Sequence, residues 1–126
     1  MIRIKCNQPV YLDIDDTLVM WNPSKDQLDR YGVDFTHTYD DGTIRTGRIL
    51  PHRVHIRQLI RHAMRGHTII LWSAGGEEWC YAVAKALGLE QYVSCTIEKP
   101  MWAYDDKKPN EFFETRFYPD DENSKI

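Results

Sequence analysis

Cysteine is scarce. The 126-residue chain has three, Cys6, Cys80 and Cys95, an odd number without metal-ligand spacing. That excludes a disulfide framework or a zinc module and fits a reducing compartment. Long apolar runs are missing too. The longest are strand-sized, so no membrane span is expected. The N-terminus, Met-Ile-Arg-Ile-Lys-Cys-Asn-Gln, lacks the apolar centre of a secretory signal, and the cytoplasm is the expected location. The formal net charge of -3 argues against a general nucleic-acid binder. One local absence cuts the other way. Residues 42–76 contain no Asp or Glu but six arginines, in an otherwise acidic chain.

What remains is ordinary globular material. Hydrophobic residues make up 42% and charged residues 28%, and the length fits one domain. We expect it over residues 1–118, followed by a polar tail over 119–126.

Residues 9–14 (PVYLDI) are nearly continuous in apolar character and end in carboxylates, as a buried parallel strand does. A short helix is expected over 24–30. Residues 35–50 alternate, with Asp41-Gly42 at the turn, and read as a hairpin. Pro51 then opens a helix over 52–65, with Ile56, Leu59, Ile60, Ala63 and Met64 as its buried stripe and Gly66 as its stop. A second strand is expected over 68–72, a helix over 77–87 and a third strand over 92–97. A short fourth strand over 101–104 would end in Asp105-Asp106. A last helix or docked segment is expected over 110–117. Strands alternating with helices imply an α/β fold with a mostly parallel sheet. Ligands of such sheets bind beyond the carboxyl ends of the strands. Asp13, Asp15, Ser73, Asp105 and Asp106 all fall at such ends.

Asp13, Asp15 and Asp16 crowd three carboxylates into four residues. Like charges that close are costly unless a cation neutralises them. Oxygen-only ligands suit a hard cation, and magnesium is usual beside phosphate. A calcium loop does not fit, because Leu18 stands where it needs Gly and Ser24 where it needs Glu.

VYLDIDDTL resembles the first motif of the haloacid dehalogenase (HAD) superfamily, an apolar strand followed by Asp-x-Asp-x-Thr. The resemblance implies Asp13 as nucleophile and Asp15 as general acid/base, with the Asp15 carbonyl also touching the metal. The family often has Gly at the position of Asp16. ILWSAGG resembles the second motif, with Ser73 and the N–H of Ala74 and the glycines on a phosphate oxygen. A serine after a strand is otherwise a helix cap. Lys99-Pro100 resembles the third motif, its lysine neutralising the phosphoryl group and orienting Asp13. An exposed lysine is the plain alternative, and Lys85 or Lys107 could substitute. AYDDKKP resembles the fourth motif, which adds Asp105 and Asp106 to Asp13 and Asp15 at the Mg2+ site, with Asp105 as the direct ligand and Asp106 supporting through a water or the lysine, or the two roles exchanged. These motifs occur in order and span most of the chain.

The implied fold is a three-layer, Rossmann-like HAD fold with a short flap hairpin (about 35–50) and no full cap domain. The implied activity is a magnesium-dependent phosphomonoester hydrolase working through an aspartyl-phosphate on Asp13. An open site favours large phosphorylated substrates: a nucleotide, a sugar phosphate, a nucleic-acid end or a phosphoprotein. Closure by a second subunit in a homo-oligomer is also compatible. Trp21, His37, Tyr39 and Arg45 are candidates to line the entrance. Two other readings stay open: a phosphotransferase of the same fold, or a non-catalytic phosphate- or nucleic-acid-binding module. The latter would use Arg53, Arg57, Arg61 and Arg65, which recur every four residues on one helical ridge. A solvated face is the bland reading of that ridge. No histidine is assigned to a site.

Overall fold

Along the chain the elements are β1 (Val10–Asp13), α1 (Lys25–Tyr31), β2 (Val33–Thr38), β3 (Ile44–Ile49), α2 (Arg53–Met64), β4 (Ile69–Ser73), α3 (Glu77–Ala86), β5 (Cys95–Glu98) and α4 (Pro109–Phe112). They come from a computed structural model that describes residues 1–113. The expected end of the domain at 118 and the tail over 119–126 lie outside the described residues.

Three strands form a parallel sheet in the order β1-β4-β5. Its central strand, β4, is paired on both edges, which is why Ile69, Ile70 and Leu71 run without a polar break. Parallel neighbours cannot be joined by a tight turn. The connection from β1 to β4 therefore carries the hairpin and α2, and that from β4 to β5 carries α3. The core gathers Ile14, Leu18, Leu59, Ile69, Leu71 and Val83 with neighbours from α3. Among the described residues no helix is long and apolar enough to cross a membrane.

β2 and β3 form a separate antiparallel hairpin. Its turn is closed by Tyr39 N–H on the Thr43 carbonyl at 2.7 Å. Gly42 takes the positive φ of 88° that this turn needs. The hairpin is not a free flap. Phe35 packs edge-on against Trp79 of α3, with ring centroids 5.5 Å apart.

Several expectations are corrected. The fourth strand over 101–104 does not form. Pro100 cannot donate to a ladder, and Met101, Trp102 and Tyr104 face outward, Tyr104 at 98% exposure. The third strand begins at Cys95 rather than 92, because the N–H groups of Tyr92 and Val93 turn back to the Leu89 carbonyl. The helix expected over 110–117 is present as the four-residue α4, which ends before an extended Phe113, and residues 114–117 lie outside the described residues. Pro51 does not open α2. It pairs with Val19, and His52 is the cap. Leu59 of the expected stripe is buried, and Ile56, Ile60 and Ala63 pack against the core. Met64 is exposed, and His52 and His55 take the buried face at the helix start instead.

Candidate active site

Asp13 is the last residue of β1 and is level with Trp72 of β4. The chain then turns sharply. The Ile14 carbonyl accepts N–H bonds from Thr17, Leu18 and Val19 at 3.1, 2.9 and 3.1 Å. Ile14 and Leu18 are fully buried and anchor this turn, which leaves the acids on its outer side. Asp16 takes a left-handed φ of 61°, a strain of about 1 kcal/mol that Asp tolerates better than most residues. Its carboxylate accepts the Trp21 N–H at 2.7 Å and so fixes the following loop.

Ser73 ends the neighbouring strand and is 1% exposed. Its Oγ accepts the Gly75 N–H at 3.0 Å and its carbonyl accepts the Gly76 N–H at 3.2 Å. Both glycine N–H groups are thus used within the turn, and the Ala74 N–H has no acceptor among the described residues. The close approach leaves little room at Gly75. A Cβ there would meet Trp79 Cδ1 at 3.2 Å and Ser73 Oγ at 3.3 Å. We expect Gly75→Ala to disturb the Ser73 turn more than the global fold. A loss of turnover larger than the loss of thermal stability would show it.

Lys99 lies just beyond β5. Its N–H donates to the Ser73 carbonyl at 2.9 Å, and its Nζ is 3.2 Å from Asp13 Oδ1. Asp13, Ser73 and Lys99 therefore meet at the carboxyl ends of three adjacent parallel strands, from positions 13, 73 and 99 in the chain.

Asp15 is half-buried. Burial pushes its carboxyl above the ordinary carboxylate range, and the charges of Asp13 and Asp16 push the same way. The Trp79 side chain, by hydrogen bonding, and the Arg45 charge oppose this. Cys80 reports the same acidic surroundings from below the sheet end. Burial first, and the negative charge of Asp13 next, push its thiol up to about 12. A thiol reagent at pH 8 is expected to label exposed Cys6 and Cys95 and to spare Cys80 in the folded chain. Peptide mass mapping of the labelled protein checks this.

The first turn is braced by residues that pattern reading left unassigned. His55 Nδ1 donates to the Thr17 carbonyl at 2.8 Å. His52 Nδ1 accepts the His55 N–H at 3.2 Å, and the two rings stack 4.0 Å apart. Their spacing with Leu59 on one face of α2 was the available signal.

Beside Asp15 opens a groove of about 560 Å³, lined in part by Trp21, Phe35, Arg45, Gly75 and Trp79. Trp21 and Arg45 line it, as their positions suggested. His37 and Tyr39 do not. His37 is buried, edge-on to Tyr39 at 4.9 Å, with Nε2 3.8 Å from Glu78.

Asp105 and Asp106 are not brought to Asp13. Both are exposed, and an Asp105 oxygen accepts the Lys107 N–H at 3.0 Å. Without a fourth strand nothing carries them back to the sheet end. Among the described residues, three acid ligand atoms come within 4.8 Å of one another at Asp40, Glu77 and Glu78, a grouping common on acidic surfaces without an ion. Arg53, Arg57, Arg61 and Arg65 are exposed, and none has an ion-pair partner among the described residues.

Comparison of the chain with family models, with curated proteins and with solved structures gives no match.

Proposed function

We propose that the protein is a HAD-type phosphomonoester hydrolase with Asp13 as nucleophile, on a small Rossmann-like sheet. The observation that carries this reading is the meeting of Asp13, Ser73 and Lys99, with the Lys99 ammonium 3.2 Å from the Asp13 carboxylate. A nucleophilic carboxylate, a cation for the phosphoryl oxygens and an Ala74 N–H without an acceptor among the described residues converge at the carboxyl end of the sheet. α3 begins nearby, and its N-terminus favours an anion.

In the first step an Asp13 oxygen bonds to phosphorus as the ester oxygen leaves, giving an acyl phosphate. Asp15 donates its proton to the departing oxygen, and its raised pKa keeps that proton available closer to neutral pH. In the second step water attacks the same phosphorus. Asp15 takes the water proton, and Asp13 is released as carboxylate with inorganic phosphate. Lys99 orients Asp13 and balances the phosphoryl charge throughout.

The donors at this strand end are all oxygen, which suits magnesium. Magnesium keeps several waters and binds through one or two carboxylates plus substrate phosphate. Asp13 and the Asp15 carbonyl would hold it, and Asp105 and Asp106 are not needed for that minimal set. When bound it would neutralise charge on the phosphate. The test is a screen of phosphate esters with magnesium present. Asp15→Asn is expected to lower turnover by about 100- to 10,000-fold while the melting temperature stays near wild type. A blank screen for the wild type would overturn the reading.

A further inference from the structure

The groove beside Asp15 carries two groups that the reacting phosphate does not use. Trp21 is 64% exposed, and its indole stacks on no other ring among the described residues. Its backbone N–H is tied to the Asp16 carboxylate at 2.7 Å, which fixes the loop that carries it. Arg45 lies with its guanidinium 4.3 Å from the Trp79 ring centroid and 5.9 Å from that of Phe35. It makes no hydrogen bond or ion pair among the described residues, although it feels the Asp15 charge. Arg48 in the same groove is occupied instead, by Asp34 at 3.1 Å and the Gly32 carbonyl at 3.0 Å. A guanidinium seated over an aromatic ring leaves N–H groups for a further partner, and their fork matches a phosphate.

We propose that this groove seats the leaving group, and that the leaving group is nucleotide-like, with a base against Trp21 and a second phosphate on Arg45. This rests on the phosphomonoesterase reading. The groove volume of about 560 Å³ is ample for a nucleoside and falls within the usual range for small-molecule sites, roughly 300–1,000 Å³. Stacking on one indole uses the face of a base and not its edge, so the preference is indifferent to which base is present. Both a free nucleoside bisphosphate and the phosphorylated end of an oligonucleotide offer this chemistry. The exposed arginine ridge of α2 bears on the second source alone.

The test compares kcat/KM for a nucleoside bisphosphate, a short oligonucleotide with a terminal phosphate, and glycerol phosphate. We expect the nucleotide substrates to exceed glycerol phosphate by about tenfold or more, and Trp21→Ala or Arg45→Gln to cut that ratio by about tenfold each. A higher value for the oligonucleotide, falling as salt rises, assigns the source to nucleic-acid ends. A higher value for the free bisphosphate assigns it to the nucleotide pool. Turnover of glycerol phosphate as good as that of the nucleotides, or a ratio unmoved by both substitutions, overturns the inference and leaves the hydrolase reading standing. Binding of the nucleoside bisphosphate to the Asp13→Asn chain decides the inference independently of turnover. Tight binding that is lost with Trp21→Ala supports it, and binding no better than that of inorganic phosphate overturns it.

Discussion

Asp13→Asn is expected to lower phosphate-ester turnover by about 1,000-fold or more while leaving the fold intact. Asparagine fills the same space but cannot form the acyl phosphate, so both chemical steps are lost together. The fold survives because little structural energy rests on this side chain. Its ion pair with Lys99 is about one-third exposed on each side, and such pairs contribute about 1 kcal/mol or less. Steady-state kinetics on an active ester, with a melting curve for each protein, separate the two effects. Full activity in the variant would sink the mechanism. Equal collapse of activity and melting temperature would show that Asp13 is structural.

Leu71→Ala is expected to cost about 2–5 kcal/mol of stability. Leu71 is fully buried in the middle of β4, opposite Leu12 on one side and Thr96 on the other. Truncation removes buried methyl groups and leaves a cavity that strands paired on both edges cannot close. A domain of this kind has about 5–15 kcal/mol in total, so the shift in the denaturant midpoint is large. Met64→Ala is the control. Met64 stands on the apolar period of α2 yet faces solvent, and its loss should move the midpoint hardly at all. A small effect at Leu71, or a large one at Met64, would contradict the assignment of the core.

Much of this layout is legible in the linear sequence, and the reasons are local. β4 announces itself as a short apolar run because a strand buried on both faces has no polar alternation to show, and β1 reads the same way although its Tyr11 is exposed. The hairpin is marked by Asp41-Gly42, since the turn needs a positive φ. The order Asp13, Ser73, Lys99 could be picked out, and the structure gathers those three at the carboxyl end of the sheet.

What was hidden depends on contacts between distant segments. Trp102 and Tyr104 have strand-forming side chains, but nothing in their neighbourhood says that no sheet edge receives them. Met64 and His55 both sit near the apolar face of α2. The burial of His55 goes with the Thr17 carbonyl, 38 residues away, that accepts its Nδ1–H. The seating of Arg45 on Trp79 is likewise a pairing between the hairpin and α3 that no short window contains.

The account turns on whether phosphate becomes attached to Asp13. The direct measurement is rapid mixing of the wild-type chain with a phosphorylated substrate and magnesium, followed by quenching, borohydride reduction and peptide mass mapping. Reduction converts an aspartyl-phosphate to homoserine. The account predicts homoserine at position 13 alone, dependent on substrate and absent from the Asp13→Asn chain. Brisk turnover with Asp13 unchanged, or with the label on another residue, would contradict it.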